Sequence, residues 1–315
     1  MRKHSRKFIG KLWLTAAAVA AVILLGCQAG RRAENRAQSQ EPERLSETSA
    51  VTPSAGAGTE EDVSASAPEP EAAVAGSEPT PSPLPPLEQR LAELPAGTVV
   101  AEEEVNREDL SVYFQDYEIS DPLFARIYGD DRSYKTYCTV PREDLRYIKL
   151  LHYGFEGEIR VGELMVNALL AEDMKAIFQE LFENQYQIEK MYLVDNYGAD
   201  DDLSVNDNNT SCFNFRLGTN SQSLSNHAAG CAIDINPKQN PYYIIGPDGS
   251  YVWENEDAEL YIDRNVPDAA ERHMITEQDL CYQLFTQYGY TWGGDWQNPI
   301  DYQHFEKIVY TAAMP

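Results

Sequence analysis

The chain has 315 residues, 43 % of them hydrophobic, enough for one domain of ordinary size, with a formal net charge of -26 at pH 7. So acidic a balance argues against nucleic acid and against anionic membrane surfaces as partners of the folded part. It says little about any individual site, because most of that charge is solvated surface.

The N-terminus is basic, MRKHSRK, and an apolar run follows from about Leu12 to Gly26. That run is shorter than the ~20 residues a spanning helix needs, and it fits the apolar region of a secretory signal. It ends in Leu24-Leu25-Gly26-Cys27, which resembles a bacterial lipobox, where the cysteine is lipidated and becomes the mature N-terminus. Ordinary cleavage nearby and a retained signal anchor are the alternatives; all three export the rest of the chain. Residues 1–27 are thus expected to be a signal peptide. Cys27 would carry a lipid anchor on the outer face of the bacterial cell membrane.

Residues 28–104 shift towards Ala, Ser, Thr, Pro, Gly and Glu, with almost no aromatic residues up to about Pro95. Such a segment buries too little apolar surface to offset the entropy of ordering it, so a disordered tether is expected. Residues 105–315 make the domain. Gly157–Asn167 reads as a strand. Leu170–Gln185 reads as a helix with Met174, Ile177, Phe178, Leu181 and Phe182 on one face, a core stripe. Ile188–Asp195 returns as a strand, and Cys231–Ile235 is another. Ile275–Gly289 reads as a helix capped by Thr276, with Asp279 in its first turn. The closing YQHFEKIVY reads as a strand. Strands outnumber helices after Ser223, so the expected class is α+β: a mixed, mainly antiparallel sheet with helices packed on one face.

The stretch SLSNHAAGCAIDINP, Ser223 to Pro237, sets His227 and Asp234 seven residues apart. An imidazole and a carboxylate so placed are two-thirds of a three-ligand zinc site. Near the C-terminus, GGDWQNPIDYQHFE offers His304 as the third ligand, with Asp301 three residues before it. Three protein ligands and a nearby carboxylate are the parts of a hydrolytic zinc centre lying on the sheet.

These residues carry a family resemblance. The pattern S-x-H-x-x-G-x-A-x-D, filled by Ser225, His227, Gly230, Ala232 and Asp234, resembles the signature of the peptidoglycan zinc peptidases. That group includes D-alanyl-D-alanine carboxypeptidases and dipeptidases and L-alanyl-D-glutamate endopeptidases. Trp292 to Glu306 resembles the second motif of the family, and Ala199 to Arg216 an upstream one. The resemblance implies one zinc ion on His227, Asp234 and His304, and peptidoglycan stem peptides as substrate. It implies Asp301 as general base and Arg216 as the group that neutralises the oxyanion or grips a substrate carboxylate. Ser225 would be a substrate or supporting hydrogen-bond donor. The expected activity is D-alanyl-D-alanine carboxypeptidase; the alternatives are an endopeptidase of the same family and a non-catalytic zinc-binding cell-wall module.

Other residues read as follows. His152 and His273 lack ligand partners at useful spacing. Trp292 and Trp296 can wall a groove or fill the core, and Glu306 can orient His304. Asp200, Asp201 and Asp202 fit a solvated acidic loop better than a cation site. Cys138, Cys212, Cys231 and Cys281 permit three pairings in an exported protein, and none has metal-ligand spacing.

Overall fold

The computed structural model describes residues 84–309, apart from 220, 254 and 256. The signal run, Cys27 and the tether up to residue 83 lie outside the described residues. Among those described, no helix is long and apolar enough to cross a membrane.

The first described segment departs from expectation. Helix α1 (Leu87–Arg90) and strand β1 (Val99–Val100) fall within the span assigned to the tether, yet Leu87, Leu91 and Val100 are buried in the main core. The reason is local: LEQRLAEL sets Leu87 and Leu91 four residues apart, one face of a helical turn, behind a stretch whose Pro and Ala content hides the signal.

Strand β2 (Gln115–Tyr117) and helix α2 (Asp121–Ile127) lead into the longest hairpin, β3 (Leu145–Tyr153) with β4 (Ile159–Asn167). All nine residues of β3 pair antiparallel with β4, from Leu145↔Asn167 to Tyr153↔Ile159. Both strands are buried along most of their length because both faces are covered, charged Lys149 and Glu163 included. On one side lies helix α3 (Ala171–Glu183), whose Met174, Ile177, Phe178, Leu181 and Phe182 meet Ile148 and Leu150. A second cluster contains Ile119, Ile127, Leu145, Met165 and Phe213. His152, buried on β3, places Nδ1 2.9 Å from the Ile188 carbonyl, and burial lowers its pKa to about 4. It is a core histidine, as its spacing suggested.

Strands β5 (Lys190–Met191) and β6 (Asn209–Thr210) form a short parallel pair, with helix α4 (Asp201–Asn206) between them in sequence. The strand expected over Ile188–Asp195 is cut short by a 3₁₀ turn at Val194–Tyr197 that closes on left-handed Gly198. Strands β7 (Ala232–Asp234), β8 (Tyr242–Ile245) and β9 (Tyr251–Trp253) follow. Helix α5 (Leu280–Gln287) comes next, then β10 (Thr291–Trp292), β11 (Ile300–Asp301) and β12 (His304–Glu306). Helix α5 begins later than expected. Asp279 is its cap, accepting from the Cys281 N–H at 2.8 Å, whereas Thr276 closes the turn before it. A short polar side chain bonds whichever N–H is left unpaired at the helix start, and here the cap stands three residues later.

The strands make four small sheets rather than the expected single one: β1-β4-β3-β2, β10-β12-β7, β11-β8-β9 and β5-β6. Except in β5–β6, the pairing is antiparallel. Strands of two to four residues, separated by turns, do not extend far enough to join a common ladder.

Gly230 joins this scaffold to the sequence motif. It ends the 3₁₀ turn Asn226–Ala229 at φ 66°, and its carbonyl accepts from the Asn167 N–H at 2.9 Å. A Cβ there would stand 2.6 Å from Asn167 N and 2.9 Å from the Val166 carbonyl carbon, both rigid backbone atoms. We expect Gly230→Ala to lower the unfolding free energy by about 2 kcal/mol or more, from left-handed strain and the clash together. Urea denaturation measures this, and an unchanged midpoint would contradict it.

Candidate metal centre

The centre is built by one strand register. β12 lies between β10 and β7, and His304 stands directly opposite Asp234, Phe305 opposite Ile233, and Glu306 opposite Ala232. Alternation along each strand sends Ile233 and Phe305 to the core and leaves Asp234, His304 and Glu306 on the other face. Phe305 stacks on Phe285 of α5 with ring centroids 4.5 Å apart, and Phe285 meets Phe178 of α3. The hydrophobic core thus fixes the strand that carries the polar site.

His227 arrives on the turn Asn226–Ala229. Ser225 caps that turn, its hydroxyl oxygen accepting from the His227 N–H at 3.3 Å. Its visible task is to hold the main chain of the first imidazole. The His227 ring donates Nδ1–H to the Cys212 carbonyl at 2.5 Å, which directs Nε2 inward. His304 is turned the other way round: Nε2 is 3.0 Å from Glu306 Oε2, leaving Nδ1 inward. The two inward nitrogens are 3.2 Å apart, and each faces an oxygen of Asp234, at 3.2 and 3.1 Å. The ligand atoms of His227, Asp234 and His304 lie within 4.8 Å of one another, and all three residues are buried.

This donor set fits a metal ion. A carbonyl can only accept, so His227 spends its proton outward; Glu306 draws that of His304 outward too. Two nitrogen lone pairs and a carboxylate then converge on one point, an arrangement that repels itself unless a cation lies among them. The electrostatics show the same demand. Burial opposes charge on Asp234, but the two facing imidazoles outweigh it and hold the carboxyl far below its ordinary range. Burial likewise opposes charge on His304, yet hydrogen bonds to Asp234 and Glu306 raise its pKa to about 10. A proton and a metal ion compete here for the same lone pair.

A cavity of about 220 Å³ opens over the triad, and Asp201, Arg216, Ser225, Trp296, Asp301 and Gln303 help to line it. The residues singled out from sequence are therefore brought together. Asp301 on β11, opposite Tyr242, has Oδ2 4.0 Å from His304 Nδ1. Gly293 lets the chain pass close: a Cβ there would lie 2.5 Å from the Asp301 carbonyl and 3.2 Å from His304 Cβ.

Arg216 lines the cavity but is already engaged. Its Nη2 pairs with Asp201 Oδ2 at 2.6 Å, and Nη1 donates to the Leu217 carbonyl at 3.1 Å. Burial raises the Asp201 pKa despite the guanidinium beside it. The Asp200–Asp202 run separates by role. Asp200 caps α4, accepting from the Leu203 N–H, Asp201 faces the cavity, and Asp202 is exposed. The two tryptophans separate as well: Trp292 is core, while the Trp296 ring lies 5.2 Å from His304 on the cavity wall.

Sequence reasoning missed Asp201 as the partner of Arg216. It also missed Asn226, whose Nδ2 donates to Glu306 Oε2 at 2.6 Å and ties the His227 turn to the His304 strand. The position of Asn226, next to a ligand, was the only signal. His273 stacks on Phe155 away from the triad. Cys138, Cys212, Cys231 and Cys281 are all free thiols, and Cys231 is fully buried packing.

A scan against family models matches residues 219–307 to the family described as D-alanyl-D-alanine carboxypeptidase. The match encloses Ser225, all three candidate ligands, Asp301 and Glu306, and begins just after Arg216. No curated protein and no solved structure gave a significant match. The motif, the register that assembles it and the family match agree: residues 219–307 are similar to the family described as D-alanyl-D-alanine carboxypeptidase, which supports a peptidase of that kind.

Proposed function

We propose that the protein is a zinc-dependent metallopeptidase that trims peptidoglycan stem peptides, of the D-alanyl-D-alanine carboxypeptidase type. The observation that carries this reading is the triad of inward-facing lone pairs on His227, Asp234 and His304, with the Asp301 carboxylate 4.0 Å from one of them. Two imidazoles and one carboxylate suit zinc, which when bound acidifies water and polarises a carbonyl. Asp301 takes the proton of the attacking water and returns it to the leaving amine. Ser225 and the Cys212 carbonyl hold His227 in orientation, while Glu306 and Asn226 do so for His304. Arg216, steadied by Asp201, supplies positive charge in a cavity also lined by four carboxyl groups. The reading sets the enzyme outside the cytoplasm facing the cell wall, as its N-terminal sequence suggests.

One observation favours the endopeptidase alternative. Arg216 already spends two nitrogens on Asp201 and the Leu217 carbonyl, which leaves less of its fork for a terminal carboxylate. An oxyanion needs only a single donor.

Two experiments test the reading. Asp301→Asn should keep stoichiometric zinc while turnover of stem peptide falls ~10²–10⁴-fold, as expected for loss of a general base. His304→Ala in parallel should lose the zinc itself. Metal analysis beside rate measurement separates the two, and near-normal turnover in zinc-loaded Asp301→Asn would reject that base. Amidating the C-terminal carboxylate of a pentapeptide stem should remove most of the rate of a carboxypeptidase. Undiminished cleavage of the amide would leave the zinc chemistry standing and assign the endopeptidase instead.

A further inference from the structure

Gln303 stands between Asp301 and His304, and its main chain is fixed on all sides. Its carbonyl accepts from the Ile235 N–H at 3.0 Å, the preceding Tyr302 carbonyl accepts from Trp292 Nε1 at 2.8 Å, and His304 is held in β12. The side chain contrasts with this order. Gln303 is only 5 % exposed and lines the cavity, yet its Oε1 has no hydrogen-bond partner among the described residues.

Several other buried carboxamides are spent on the protein, whereas Asn214 and Asn255, like Gln303, leave the side-chain oxygen unpaired among the described residues, but neither of them lines the cavity. Asn167 Nδ2 donates to the Ala229 carbonyl, Asn236 Nδ2 to that of Gln187, and Asn240 Nδ2 to that of Ile235. A buried acceptor without a partner costs roughly 1–3 kcal/mol, and Gln303 alone of these three stands where a bound molecule can supply the missing donor. The acids of the same wall have partners: Asp201 holds Arg216, Asp234 faces two imidazoles, and Glu306 binds His304 and Asn226. Gln303 adds to them an uncharged acceptor, one and two residues from the groups assigned to the chemistry. A neutral oxygen suits a neutral donor, and the neutral donors of a peptide are its main-chain N–H groups.

We propose that Gln303 is a substrate-binding residue whose carboxamide oxygen accepts a main-chain N–H of the bound peptide next to the scissile bond. This sets the register of the peptide over the triad. The inference rests on the peptidase reading and names a contact within the same cavity.

The test pairs a variant with altered substrates. Gln303→Met keeps length and loses the acceptor. With zinc loaded, it should match the wild type in metal content, with a thermal midpoint equal or higher, while kcat/KM on a stem peptide falls up to about tenfold, the effect of one hydrogen bond. Peptides in which each non-scissile amide flanking the cleaved bond is replaced in turn by an ester lack one N–H at a time. One of them should cost the wild type a similar factor and cost Gln303→Met nothing further. Unchanged kcat/KM in the variant, or the same ester penalties in both proteins, would overturn the role of Gln303 alone. If the variant fails to fold, the wild type still decides, because no penalty from any flanking ester rejects the contact. A wild type that cleaves none of the peptides rejects the peptidase reading and the proposal together.

Discussion

His227 gives its Nδ1 proton to the Cys212 carbonyl, and His304 turns Nε2 towards Glu306; these two outward bonds decide what the site between them can hold. With both rings anchored on their far sides, a neutral ring can only accept on its near side, and Asp234 adds a third acceptor, so the point between them calls for a proton or a cation. Neither ring can rotate to relieve the crowding without giving up a buried hydrogen bond, about 0.5–1.5 kcal/mol for a neutral pair and more for one to a charged group. The capacity of the site to take a cation is thus set by atoms outside the triad.

The rest of the fold keeps those anchors in place. Phe305 and Ile233 fix the β12–β7 register from the core side, so His304 and Asp234 cannot slip past one another without exposing both apolar residues. Asn167, at the end of the longest strand, backs the His227 turn through Gly230 and Ala229. Asn226 bonds the carboxylate that orients His304, so the segments bearing the two imidazoles are joined directly as well as through the sheet. A net charge of -26 and a cavity rich in acids would by themselves repel an anionic peptide. Charge beyond ~8–10 Å is largely screened, however, so under the proposed function Arg216 and a bound divalent ion would set the local field.

The grouping of His227, Asp234 and His304 was legible in the sequence because its chemistry is concentrated. His227 and Asp234 share one short stretch, and Asp301 and His304 share another, so the paired motifs, with the resemblance they carry, propose the partners. The stripe of α3 was legible for a similar reason: five apolar residues at helical spacing have one sensible face. Contacts made only across the fold were not legible. Asp201 reaches Arg216 from another element, within an aspartate run that looks like solvated surface. The late start of α5, the folded segment after residue 84 and the division into four sheets each turn on which of several weak local signals tertiary packing selects. A turn at Val194 or a cap at Asp279 differs from its competitors by about a kilocalorie.

The central claim is that His227 presents Nε2, and His304 presents Nδ1, to one metal ion shared with Asp234. Anomalous diffraction from crystals of the zinc-loaded protein, recorded on both sides of the zinc edge, measures this most directly. The account predicts one strong peak about 2.0–2.2 Å from His227 Nε2, His304 Nδ1 and an Asp234 oxygen, with Glu306 outside bonding distance of the ion. A peak between His304 Nε2 and Glu306, or none at the triad at full zinc loading, would contradict it.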